Sequence, residues 1–260
     1  MVRAVPDILA RIAEHKRAEL ARDRALRPEL ERRAAARTDY RDFSHALTAR
    51  PPAVIGEIKQ ASPSKGALTE QFDPASSARM YASGGAAALS VLTDREFFRG
   101  SLSDLETARA AVSLPVLRKD FTLDEFHVME AAAHQADAIL LIVALLEERA
   151  LRDLRELAAR HRMAALVEVH DTAELETALD SGADIVGVNN RNLHTFDVTL
   201  ETSLQLAAKI PAHVIKVSES GIHSRADVAR LAAAGYQAFL VGEHLMKSAD
   251  PSAALRELRS

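Results

Sequence analysis

Gly182-Ala183-Asp184-Ile185-Val186 recurs with substitutions along the chain, as Gly85-Ala86-Ala87-Ala88-Leu89, Gln135-Ala136-Asp137-Ala138-Ile139 and Gly235-Tyr236-Gln237-Ala238-Phe239. The copies stand roughly 50 residues apart, close to the length of two strand–helix units. Each leads from a helical segment into an apolar, β-prone run. A glycine there fits the left-handed turn that ends a helix, because it has no Cβ to clash. The second copy carries Gln135 at that place. Working outward, short apolar runs occupy residues 53–58, 87–92, 114–117, 138–143, 164–169, 185–188, 214–217 and 238–241. Each is followed by a segment of helical period, which predicts parallel strands joined by crossover helices. Eight such units in roughly 200 residues favour a closed (β/α)₈ barrel over an open sheet.

The 260 residues suit one domain, with a helical extension over 1–50 and the barrel over 51–260. In the extension, Ile8, Ile12 and Leu20 share one helical face, and a second helix is expected over 29–37 after Pro28. Everything before about Tyr40 is expected to pack over the barrel mouth. Glu14, Glu19 and Asp23 interrupt the Lys/Arg run here, which reads as a solvated face rather than a polyanion site. A net charge of -4 carries no nucleic-acid signature, and the absence of Cys removes disulfides, thiolate metal sites and thiol nucleophiles. Residues 1–17 show no apolar signal core and no run is long enough to span a bilayer, so a soluble cytoplasmic chain is expected.

Barrel enzymes carry their reactive groups at the C-terminal ends of the strands. In the first run the period of two puts Ile55, Glu57 and Lys59 on one face, and Val54 and Ile58 on the other. The second face suits the helix layer, so Glu57 and Lys59 should point into the mouth. The third run ends at Leu117-Arg118-Lys119-Asp120, the fifth at Val167-Glu168-Val169-His170, the sixth at Val188-Asn189-Asn190-Arg191 and the seventh at Ser218-Glu219-Ser220-Gly221. Any one of these could be a solvated strand end. Convergence of carboxylates, lysines and an Asn on one mouth points to catalysis, since burying them together is costly unless their fields are used. Lys216, mid-strand, should face the helices.

Ser220-Gly221 after the seventh run and Gly242-Glu243 after the eighth offer backbone N–H groups to an anion, and barrels often bind phosphate between these two loops. The Pro- and Gly-bearing stretch Gln60-Ala61-Ser62-Pro63-Ser64-Lys65-Gly66 suits either a lid over an anion or a plain surface loop. His127, His134 and His161 stand singly, without metal-ligand spacing, so no metal is expected.

Several of these motifs, in this order, resemble the indole-3-glycerol-phosphate synthase family. The segment running from Glu57-Ile58-Lys59 to Ser64-Lys65-Gly66 is the most specific. Leu117-Arg118-Lys119-Asp120-Phe121, Leu166-Val167-Glu168-Val169, Asn189-Asn190-Arg191-Asn192-Leu193, Ser218-Glu219-Ser220-Gly221-Ile222 and Val241-Gly242 are also similar. The resemblance implies a carboxy-lyase of tryptophan biosynthesis that closes and decarboxylates 1-(2-carboxyphenylamino)-1-deoxyribulose 5-phosphate without any cofactor. It implies Lys119 as general acid for ring closure and Glu168 for acid–base work on the hydroxyl, with Asn189 orienting it. Glu57 and Lys59 would hold charge and substrate in register. Ser62, Phe98, Arg191 and Glu219 would bind the substrate, and Ser220, Gly221 and Gly242 its phosphate. The expected partner is a small phosphorylated molecule, with neither nucleic acid nor membrane, and the chain a monomer or weak homo-oligomer. The alternatives are a Schiff-base aldolase using Lys59 or Lys119, or a non-catalytic phosphometabolite-binding module. The net direction of the Lys119 pKa is open, since Lys59 should lower it and Glu57 raise it.

Overall fold

The computed structural model describes residues 7–62, 66–67 and 72–260. Eight parallel strands close into a barrel: β1 (Ala53–Ile58), β2 (Ala88–Leu92), β3 (Val116–Lys119), β4 (Ala138–Ile142), β5 (Ala164–Val169), β6 (Ile185–Asn189), β7 (Ile215–Glu219) and β8 (Ala238–Val241). β8 returns to β1 with Ala53 opposite Ala238 and Gly56 opposite Val241, so the barrel itself has no open edge. Period-two alternation sorts the strand residues into two layers. Ile55, Leu117, Leu140, Leu166, Val217 and Leu240 fill the interior, whereas Val54, Ile58, Leu89, Val91, Ile139, Val186 and Phe239 pack against the helices.

The structure departs from the sequence expectation at the start of β3, in the leading segment and in the α1 charges. β3 begins at Val116, because Pro115 has no N–H to give a ladder, although its carbonyl still accepts from Leu89 N at 2.9 Å. The shift brings Arg118 and Lys119 inside the strand, with Arg118 turned outward and Lys119 inward. Gln135 takes the left-handed conformation (φ 65°) beside Gly85 (89°), Gly182 (82°) and Gly235 (99°). The position therefore demands the turn rather than glycine itself. The leading segment also divides. Helix α1 (Asp7–Asp23) covers the mouth with Leu9 and Ile12, α2 (Arg27–Ala36) runs down the flank beside the helix at Glu125–Ala133, and α3 (Phe43–Thr48) closes the bottom with Phe43 and Leu47. The expectation that all residues before Tyr40 lie over the mouth thus holds only for α1.

Nor is the α1 charge run wholly solvated. Lys16 is buried, its ammonium 2.8 Å from Asp120 Oδ1, 3.0 Å from Asp94 Oδ2 and 3.0 Å from Glu19. Asp120 also accepts from Thr93 Oγ1 at 2.6 Å and Arg118 at 3.1 Å. Burial pushes the Asp120 carboxyl up, but Arg118 and Lys16 outweigh it and hold it well below the usual carboxylate range. This network fastens α1 to the ends of β2 and β3, next to Lys119. Residues 1–26 should accordingly be needed for affinity: their removal should raise KM by roughly tenfold, the cost of one lost apolar contact. Steady-state kinetics on the truncated, folded barrel would show this, and an unchanged KM would make α1 purely structural. Among the described residues no helix is long and apolar enough to cross a membrane.

Candidate active site

The C-terminal strand ends open into a cavity of about 500 Å³ whose wall includes Glu57, Lys59, Lys119, Glu168, Asn189 and Glu219. β1 supplies Glu57 and Lys59, paired at 2.5 Å. β3 supplies Lys119, whose ammonium bridges Glu168 Oε2 of β5 at 2.8 Å and Glu219 Oε2 of β7 at 3.0 Å. β6 supplies Asn189, which donates to Glu168 Oε1 at 3.2 Å and accepts from Ser220 Oγ at 2.9 Å. Five strands thus bring two lysines, three glutamates and an asparagine into one low-dielectric mouth.

Their protonation follows from these contacts. Burial pushes the Lys119 ammonium down, but Glu168, Glu219 and Glu57 more than reverse this, so its pKa is raised. The direction that the sequence left open is therefore upward. Glu168 and Glu219 diverge although both are buried. Desolvation raises Glu168, yet Lys119 and His170 overcome it and hold the carboxyl well below its ordinary range. Glu219 is raised to about 7, by burial first and then by the charge of Glu168 against the pull of Lys119. The same mouth thus holds one carboxyl firmly as an anion and raises the proton affinity of its neighbour.

The wall also has an apolar side. Phe98 and Phe121 stand with ring centroids 6.1 Å apart, with Ile8, Leu9 and Ile12 of α1 lining the same cavity. Opposite, Ser220 (φ 67°) and Gly221 (φ 78°) turn in the left-handed region, and Gly242 lies directly against Glu57. The Ser220 hydroxyl is engaged with Asn189, so its backbone is what it offers an anion. Arg191 lines the cavity and donates to Phe196 O at 3.3 Å. The Ser62 side chain and residues 63–65, central to the proposed lid, lie outside the described residues. Ala61–Ser62 and Gly66–Ala67 form a short antiparallel pair. Lys216 faces outward as expected, donating to Ala207 O at 2.7 Å. Among the described residues no group of three or more His, Asp or Glu is placed to hold a metal ion.

Sequence reading passed over His170 and did not foresee the pairing of Glu219 with Lys119. For Glu219 a signal existed in Gly187. A Cβ there would fall inside van der Waals contact of Glu219 Oε1 and 3.1 Å from Leu166 Cδ1. Gly187→Ala should therefore displace Glu219 from Lys119 and lower kcat on the order of tenfold to a hundredfold, the scale of ångström-sized misplacements. Circular dichroism should be unchanged, and a kcat equal to the parent's would show that the Glu219 position is immaterial.

Comparison with known proteins points to one family. A family model described as indole-3-glycerol phosphate synthase matches residues 9–258. Indole-3-glycerol phosphate synthase of Albidiferax ferrireducens is 52% identical over 258 residues, covering 97% of this chain and 98% of the relative. The protein of that name from Roseiflexus sp. is 51% identical, covering 96% and 97%. Among solved structures, a thiamine phosphate pyrophosphorylase from Pyrococcus furiosus superposes with a TM-score of 0.61 at 19% identity, covering 80% of this chain and 93% of that one. It shares the barrel.

Proposed function

The chain belongs to the indole-3-glycerol phosphate synthase family, and from that premise we propose how its mouth closes the indole ring of 1-(2-carboxyphenylamino)-1-deoxyribulose 5-phosphate. The observation that carries the reading is the Lys119 ammonium held between Glu168 and Glu219.

The substrate phosphate lies between the loops after β7 and β8, on the backbone of Ser220, Gly221 and Gly242. Its aromatic ring packs on the apolar wall at Phe98, and Arg191 and Ser62 hold its polar groups. The ring carbon bearing the carboxylate attacks the sugar ketone, and Lys119 gives a proton to the oxygen as negative charge develops there. Carbon dioxide then leaves, and its electron pair moves into the iminium formed by the substrate's own nitrogen. The new hydroxyl departs as water with a proton from Lys59, whose charge Glu57 balances. Glu168, ionised and oriented by Asn189, removes the proton whose loss restores the pyrrole. Glu219 keeps Lys119 aimed and can resupply its proton. On this reading the enzyme works in the cytoplasm, as a monomer or weak homo-oligomer.

Competition and trapping test it together. Inorganic phosphate should inhibit competitively with substrate, and borohydride added during turnover should fix no adduct on Lys59 or Lys119. A trapped lysine adduct would favour an aldolase-type reaction instead.

A further inference from the structure

His170 follows β5 directly and faces two carboxylates at once. Its Nδ1 is 3.0 Å from Glu174 Oε2, the oxygen that also accepts from the His170 backbone N–H at 2.8 Å. Its Nε2, buried and without a hydrogen-bond partner, lies 3.4 Å from Glu168 Oε1. Glu174 lies in the first turn of the helix Thr172–Asp180, whose N-terminus Asp171 caps by accepting from Glu174 N at 2.8 Å. The imidazole is therefore held on one side by a helix end and stands on the other within ion-pair distance of Glu168. The ring is largely sequestered, and it is absent from the cavity wall, so it touches the mouth only through Glu168.

We propose that His170, clamped by Glu174, is a positioning residue that orients Glu168 and supplies part of the charge keeping it a carboxylate. The inference rests on the reading of Glu168 as a base and adds the question of what keeps it one. Glu168 sits in a mouth where Glu57 and Glu219 repel its charge, and Glu219 alongside it is already raised to about 7. Lys119 is shared between Glu168 and Glu219, so it cannot serve Glu168 alone. An imidazolium beside Glu168 Oε1, the oxygen that also accepts from Asn189, makes the difference between the two carboxyls. Charged and titratable groups facing His170 are Glu168 from its own strand end and Glu174 from the packed helix; Lys119 and Glu219 stand beyond Glu168. Of the other segments packed against that helix, Val143–Leu145 carries no charge, and Glu148–Arg160 brings Arg152 and Arg155 to its far end, on Asp180 O at 3.0 Å and Ser181 O at 3.1 Å. Burial lowers the imidazole pKa, but the two carboxylates outweigh this and raise it to about 10, so the ring is charged through neutral pH. Glu168 in turn is stabilised as an anion until His170 loses its proton.

The test is a carboxyl titration by ¹³C NMR on glutamate-labelled protein, with the Glu168 signal assigned by its loss in Glu168→Gln. In His170→Asn the Glu168 midpoint should move up by at least about one pH unit, the scale of one lost charge partner. The acidic limb of kcat should move with it, while KM stays within about twofold and the alkaline plateau of kcat is largely kept. A general loss of packing would lower kcat at every pH without moving the limb. Glu174→Gln keeps the hydrogen bonds but weakens the charge on the imidazole, and should shift Glu168 the same way by less; it decides the matter should His170→Asn fail to fold. An unmoved Glu168 midpoint in the folded variants would overturn the role of His170. Full activity in Glu168→Gln would instead overturn the base assignment, so the two failures are separable.

Discussion

Lys119→Met should lower kcat by a factor on the order of 10²–10⁴, the usual contribution of a positioned general acid, while leaving the fold intact. Methionine keeps most of the side-chain volume but removes the ammonium. The aromatic carbon that attacks the ketone is a weak nucleophile, so closure depends on neutralising the developing oxyanion. Lys119 is the cation at the centre of the mouth, 2.8 Å from Glu168 and 3.0 Å from Glu219. Its raised pKa makes it a sluggish donor at equilibrium, but it guarantees that the proton is present at every turnover. Losing it also leaves Glu168 and Glu219 facing each other, so one of them should gain a proton in the variant. Substrate should still bind through phosphate and ring, which places the loss in kcat rather than KM. Single-turnover kinetics should show the deficit in ring closure itself. Closure within a factor of about three of the parent rate in a folded Lys119→Met protein would remove Lys119 from the acid role.

The second large effect is expected at the opposite end of the barrel and on stability alone. Asp137, wholly buried just before β4, accepts from Arg37 Nη2 at 2.6 Å, from Arg109 Nε at 3.1 Å and Nη2 at 3.1 Å, and from the backbone N–H of Arg41 at 3.1 Å and Val116 at 3.0 Å. Arg37 and Arg109 are themselves buried. Asp137→Ala takes from Arg37 its carboxylate, leaves Arg109 only the exposed carboxylate of Asp39 at 2.6 Å, and strands two backbone donors; breaking a buried pair in this way costs about 3–5 kcal/mol. For a chain of this size that is a fall in Tm on the order of 10 °C. kcat measured well below Tm should be close to the parent's, because the mouth lies at the far end of the strands. A Tm within about 2 °C of the parent's would mean that the cluster is dispensable. The same contacts make α2 and the following turn part of the barrel's foundation: a deletion through Tyr40 removes Arg37 and should destabilise the whole domain.

What was legible in the sequence was what a strand dictates locally. Alternation alone placed Glu57 and Lys59 in the mouth and Val54 and Ile58 under the helices, and it turned Lys216 outward. The recurring turn before alternate strands was legible even where Gln135 replaced glycine, because the repeat fixed the position. Illegible were pairings made by tertiary approach. Nothing in the α1 charge pattern distinguishes Lys16 from its exposed neighbours until Asp94 and Asp120 are brought beneath it. His170 likewise follows Glu168 by two residues, a spacing that says both point the same way, but its second carboxylate comes from a separate helix. The divergence of Glu168 and Glu219 depends on which neighbours each has at 3 to 4 Å, and no sequence spacing encodes that.

The most direct measurement is of indole formation itself: purified protein mixed with 1-(2-carboxyphenylamino)-1-deoxyribulose 5-phosphate in phosphate-free buffer, followed by indole fluorescence and by released carbon dioxide. Both should appear together, at many turnovers per active site and with no cofactor added, and both should collapse in Lys119→Met. A correctly folded parent protein that releases neither above the uncatalysed rate would contradict the assignment of the barrel mouth to this reaction.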